Sequence, residues 1–250
     1  MRRWLASLPR EPAAMLEVGL MFLPAIPAYL WIWPNVEGDG LWAMQIISYL
    51  YILVGTIWIG RRRWSWDELG INHQGVGLSL ASGAILIAGR SLVILGVSWE
   101  QPAPDFNLLR IVGELLYYIG LVGLVEELLF RGLIYRALDN WRGVRWAIWG
   151  SSLGFILWHI FGQGPLVGLA GFLYGLIFAL IRWRAGGILG LIFVHGLMDF
   201  AAIEMLPQSD VVALGRPIIV NPALLISGLV LILALPVYLW KIYPALKKQS

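Results

Sequence analysis

Eight apolar stretches, near residues 15 to 33, 41 to 60, 76 to 97, 107 to 130, 145 to 161, 165 to 181, 187 to 205 and 218 to 240, constrain every fold open to this chain. About 20 consecutive apolar residues make a helix long enough to cross a hydrocarbon core, and a helix satisfies its own backbone there. The 250 residues are 59% hydrophobic and 13% charged, well outside the balance of a soluble domain. The expectation is an all-α, polytopic integral membrane protein of about eight transmembrane helices. No linker or low-complexity run divides it, so residues 1–250 read as a single membrane domain.

Charge supports that reading and orients it. Arg2, Arg3, Arg10, Arg61 to Arg63, Arg131, Arg136, Arg142, Arg145, Arg182, Arg184, Lys241, Lys247 and Lys248 all fall on one side of an eight-helix arrangement. Cationic residues favour the cytoplasmic side, so both termini are expected in the cytoplasm and the bilayer in question is expected to be the plasma membrane. The opposite loops carry Glu37, Asp39, Glu100, Asp105 and Asp210, with Arg216 as the exception. A net charge of +3 spread over segment ends does not suggest a nucleic-acid partner. The start resembles a signal peptide, but its apolar run is long and lacks a small-x-small cleavage site, so it is read as a retained first helix. There is no cysteine, which removes disulfides, thiolate metal ligands and cysteine nucleophiles together.

Against this apolar background, Glu126, Glu127 and Arg131 stand inside the stretch Leu115 to Leu138. Ionisable groups at membrane depth are costly and mark functional candidates. Glu127 and Arg131 are four apart and share a helix face, so they can neutralise one another. Glu126 is turned about 100° away and has no such partner on its own helix, which leaves it as the carboxylate able to act as a general base or acid. The competing reading is a structural ion cluster at a helix end.

Depth bears on that choice. If the fourth helix continues to about residue 138, Glu126 lies roughly 18 Å from its cytoplasmic end. His159 lies roughly 21 Å from the same side along the next helix, and His195 and Asp199 roughly 13 to 20 Å into the seventh, on one face. Three helices thus place two carboxylates and two imidazoles in one depth band. Arg90 and Glu114 also lie at similar depths in the third and fourth helices, predicting a structural ion pair.

Other chemistries find no support. HExxH and GxGD are absent. Gly150-Ser151-Ser152-Leu153-Gly154 matches G-x-S-x-G, but inside a helix, where a nucleophile elbow cannot form. Gly150/Gly154, Gly164/Gly168, Gly171/Gly175 and Gly186/Gly190 read as small-xxx-small spacings for close helix packing.

The motifs Glu126-Glu127-x-x-x-Arg131, Phe155-x-x-x-His159 and His195-x-x-x-Asp199, in that order, resemble the CAAX-protease and bacteriocin-processing (CPBP or Abi) family of intramembrane endopeptidases. The resemblance covers roughly residues 107–202, the expected catalytic core. It implies a CAAX-protease-like helix bundle that hydrolyses a peptide bond of a membrane-associated protein or peptide. On this likeness Glu126 and His159 would activate water, His195 and residue 199 would stabilise the oxyanion, and Glu127 and Arg131 would orient the helix of the first motif. Position 199 is aspartate where the prenyl-protein proteases have asparagine. Three readings follow: Asp199 is protonated, or it orients His195, or it joins Glu126, His159 and His195 as ligands of a divalent metal such as zinc. Metal-free and metal-assisted hydrolysis therefore both stand. Two alternatives lie outside catalysis of this kind: a proton- or ion-coupled membrane transporter, and a non-catalytic immunity or scaffold member of the family.

Overall fold

The structure, a computed structural model, describes residues 9–24, 27, 35–36, 39–97, 107–163, 165–202 and 220–242. Arg2, Arg3, Glu37, Glu100, Asp105, Asp210, Arg216, Lys247 and Lys248 of the orientation argument lie outside them, as does the second half of the first expected span. The elements, in order, are α1 (Arg10–Phe22), α2 (Asp39–Arg61), α3 (Val76–Val97), α4 (Leu108–Arg142), α5 (Val144–Gln163), α6 (Pro165–Ala185), α7 (Leu189–Phe200) and α8 (Pro222–Val237). No strand occurs among the described residues. The described part of the chain is all-α, as expected.

Among the described residues, four helices are long and apolar enough to cross a membrane: Gly40–Arg61, Val76–Val97, Leu108–Arg142 and Pro222–Lys241. α7 is apolar but shorter. The fourth helix runs on past residue 138, to Arg142. Its start is set by Asn107, whose side chain accepts from the Arg110 amide, in the manner of an N-cap. Its end is set by Gly143, at φ 87°, a left-handed conformation that glycine adopts without penalty. α8 starts the same way, with Asn221 accepting from the Leu224 amide and Pro222 in the first turn.

The chain forms two compact units, one from Met1–Asn72 with Val125–Ala179, the other from His73–Leu124 with Leu180–Ser250. In the first, α1 packs on α2 and on the last turns of α4, and α5 packs on α4. The loop after α2 ties that unit together. Ser65 and Glu68 form a reciprocal capping box: the Ser65 amide donates to Glu68 at 2.8 Å, and the Glu68 amide donates to the Ser65 hydroxyl at 3.2 Å. Arg136 of α4 also donates to Glu68, at 3.2 Å. The Ser65 amide bond, helped by Arg136, holds the Glu68 carboxyl below the ordinary glutamate range. Glu17 of α1 accepts from Arg62 and from Arg63.

In the second unit, bare backbone is the packing surface. α3 and α8 cross where Gly89 and Gly228 meet; a Cβ on Gly228 would stand 2.5 Å from the Gly89 carbonyl oxygen. α7 lies on the 118–123 segment of α4 in the same way. A Cβ on Gly123 would stand 2.5 Å from the Ile192 carbonyl oxygen, and one on Gly196 would fall on Ile119 Cα and the Tyr118 carbonyl oxygen. Helices that cannot use the hydrophobic effect against each other in lipid gain from such close approach. Gly196→Ala, which meets backbone rather than a movable side chain, is expected to cost about 1–3 kcal/mol or more. Gly113→Ala, with nothing within 4 Å of the added methyl, is expected to be neutral or stabilising by up to about 1 kcal/mol. Melting of the two variants in detergent, against the unmodified protein, checks the contrast.

Candidate active site

α4 is not a uniform helix. It is π-wound over Tyr118–Gly123 and again over Leu128–Ile134, and between these lies a short α-helical stretch, Leu124–Glu127. π segments are rare and concentrate at functional sites, because the extra residue per turn redirects side chains. The two glutamates end the stretch between them.

In the first unit, Glu127 and Arg131 are both fully buried. Arg131 Nη1 donates to Glu127 Oε1 at 3.1 Å and Nη2 donates to the Gly175 carbonyl of α6 at 3.0 Å. The pair anticipated from their spacing is therefore present. The guanidinium lies 4.3 Å from the centre of the Phe155 ring and 5.3 Å from that of Phe178, positions that add cation–π attraction. Phe130 meets Phe155 edge-on at 5.3 Å. A cation with a carboxylate, a carbonyl and aromatic faces around it is what a buried charge requires.

Glu126, 3% exposed, has its partners on other helices. The Tyr49 hydroxyl of α2 donates to Glu126 Oε1 at 2.7 Å, and Trp158 Nε1 of α5 donates to the same oxygen at 3.0 Å. Tyr49 and Trp158 also pack edge-on, 6.0 Å between centroids. His159 follows Trp158 on α5 and is half-buried. Its Nδ1 lies 2.9 Å from the Phe155 carbonyl oxygen. Since a carbonyl only accepts, Nδ1 carries the proton, and a neutral His159 keeps its lone pair on Nε2. Phe155 thus touches both Arg131 and His159, whose ring sits 4.3 Å from its own.

The second unit holds His195 and Asp199 on α7. His195 is buried and its Nε2 lies 3.4 Å from Asp199 Oδ2. Arg90 of α3 donates from Nη1 to Asp199 Oδ1 at 2.9 Å, so Asp199 faces an imidazole with one oxygen and a guanidinium with the other. Glu114, the partner expected for Arg90, has Arg110 at 3.8 Å. Arg90 thus has an acid on α7, and a lone arginine mid-way along an apolar helix is the sequence signal for such a partner.

Ser151 and Ser152 lie in α5 with their hydroxyls on the Ile148 carbonyl, which removes the G-x-S-x-G match as a nucleophile. The four residues offered as metal ligands divide as Glu126 and His159 in one unit and His195 and Asp199 in the other. Among the described residues, neither unit gathers three His, Asp or Glu side chains able to hold a metal ion. A guanidinium bonded to Asp199 also opposes a cation at that carboxylate.

Residues 109–201 match a family model described as Type II CAAX prenyl endopeptidase Rce1-like. Neither a curated protein nor a solved structure matches the chain.

Proposed function

We propose, from the premise that residues 109–201 place this chain in the type II CAAX prenyl endopeptidase Rce1-like family, that it is an intramembrane endopeptidase acting on a membrane-associated protein or peptide. Its four apolar helices and its family make it an integral membrane protein. Eight crossings with both ends in the cytoplasm are the topology proposed for it, with residues 107–202 as the catalytic core of a single domain.

One observation carries the assignment. Arg131 makes its direct bond to Glu127, while Glu126, equally buried, is held by a phenol and an indole. Neutral donors orient a carboxylate without cancelling its charge, so Glu126 remains able to take a proton from water. His159, with its proton on Nδ1, offers Nε2 as a second acceptor for that water. The attack makes a tetrahedral oxyanion, and His195 is the donor proposed for it. Asp199 cannot donate to an oxyanion as a carboxylate. Bonded to Arg90 on one side and facing His195 Nε2 on the other, it is suited to holding His195 in one tautomer, which places the transferable proton of a charged His195 on Nδ1. Asp199 is thereby a positioning residue. The reaction proposed is metal-free.

The test is cleavage of a library of membrane-anchored peptides, prenylated and unprenylated, by purified protein in bilayers. His159→Ala and His195→Ala are each expected to lose about 10²- to 10⁴-fold in kcat/KM. Activity is expected to survive a chelator. Full activity in both variants would remove the proposed site, and loss on chelation with recovery on adding zinc would reinstate the metal-assisted scheme. Proton-coupled uptake into liposomes without peptide cleavage would favour a transporter.

A further inference from the structure

Two donors from different helices meet on one oxygen of Glu126, and both are groups that neither charge nor spacing in the sequence connects to it. Tyr49 lies 77 positions before Glu126 and Trp158 lies 32 after it. Their rings are packed edge-on, and Phe22 of α1 backs the Trp158 ring at 5.9 Å. Three helices of the first unit are therefore committed to aiming one carboxylate oxygen. A buried carboxylate requires hydrogen-bond donors, and here both come to one oxygen from two different helices.

We propose that Tyr49 and Trp158 are positioning residues for Glu126: they hold its Oε1 by two hydrogen bonds, so that Oε2 is the oxygen presented to the water that Glu126 deprotonates. The division follows from acceptor geometry. A carboxylate oxygen with two donors at 2.7 and 3.0 Å has both lone-pair directions occupied, so proton transfer falls to the other oxygen, whose direction the first two bonds fix. The edge-on packing of the two rings keeps the phenol and indole from turning away. Tyr49 thus brings α2, which lies outside the matched segment 109–201, into the chemistry of that segment.

This rests on the peptidase reading, and the experiment separates the two. Wild type, Tyr49→Phe, Trp158→Phe and Glu126→Gln are purified, and the peptide found to be cleaved best is used for steady-state kinetics. The substitutions to phenylalanine remove a donor and keep an aromatic ring, so the folded state is expected to persist. Each is expected to lower kcat by roughly 10- to 100-fold with KM within about twofold of wild type, the signature of a misaligned base rather than of weakened substrate binding. Infrared difference spectra provide a readout that a packing role would not move. The carboxylate band that disappears in Glu126→Gln is expected to shift in Tyr49→Phe, which has lost a hydrogen bond to it. If wild type cleaves no peptide, the peptidase reading fails. If wild type cleaves and Glu126→Gln does not, yet Tyr49→Phe and Trp158→Phe keep full kcat or change KM alone, the positioning role is overturned and the peptidase reading stands.

Discussion

Arg131→Met is expected to destabilise the folded protein by about 3–5 kcal/mol, the cost of removing one member of a buried ion pair. Methionine approximates the volume of the arginine stem and can lie against Phe155 and Phe178, but it leaves the Glu127 carboxylate and the Gly175 carbonyl without the donors that reach them at 3.1 and 3.0 Å. The measurement is reversible unfolding in detergent, or melting where unfolding is irreversible. A double variant, Glu127→Gln with Arg131→Met, is expected to recover a large part of the loss, since the stranded charge goes with the arginine. Arg131→Lys is not expected to rescue fully, because an ammonium cannot reproduce a planar fork that bonds two acceptors while lying over an aromatic ring. A single Arg131→Met variant as stable as wild type would mean that the pair is not what holds this region.

Glu126→Gln is expected to lower kcat on the order of 10³-fold while leaving the melting temperature close to that of wild type. An amide oxygen can accept from Tyr49 and Trp158 as the carboxylate does, so the fold loses little. It has almost no basicity, so the proton transfer loses its acceptor. Glu127→Gln is expected to behave in the opposite way, with a larger change in melting than in the chemical step of the folded fraction. The two neighbouring substitutions, measured for both rate and stability, therefore separate a reactive carboxylate from a structural one. Equal effects on rate from both would return the cluster to a single structural role.

Much of this arrangement is legible in the sequence because membrane depth makes charge conspicuous. Glu127 with Arg131 needed only the pitch of a helix, and their contact is as that pitch implies. The all-helical class followed from apolar runs of bilayer length. What spacing cannot convey is the partner brought by tertiary structure. Arg90 and Asp199 are 109 positions apart, and any acid at comparable depth satisfies the same argument, Glu114 included. Tyr49 carries no charge and sits in a stretch rich in aromatic and aliphatic residues, where nothing distinguishes a hydrogen-bonding phenol from one facing lipid. The glycine contacts divided similarly. Gly171/Gly175 was visible as a spacing, and a Cβ on Gly175 would come within 3.2 Å of Phe155. Gly123 and Gly196 were not, because they lie on different helices and belong to no repeat. The π-wound segments of α4 were also invisible, since a helix apolar on all sides has no periodic stripe whose phase could reveal an added residue.

The second of those segments has a consequence for how the chain tolerates insertion and deletion. A π turn is a helical turn carrying one residue more than its α counterpart, so Leu128–Ile134 can lose a residue and remain a continuous, hydrogen-bonded helix. Its two flanks would keep nearly their present phase, because the wide turn closes its revolution with the added residue already in it. The turns that carry Arg136 toward Glu68 would stay aligned with those that carry Glu126 toward Tyr49. A one-residue deletion in an α-wound part of the same helix would instead rotate one flank against the other by about 100°, a change of angular register. Changes of residue count are accordingly expected to be tolerated in the π-wound turns and costly in the α-wound ones.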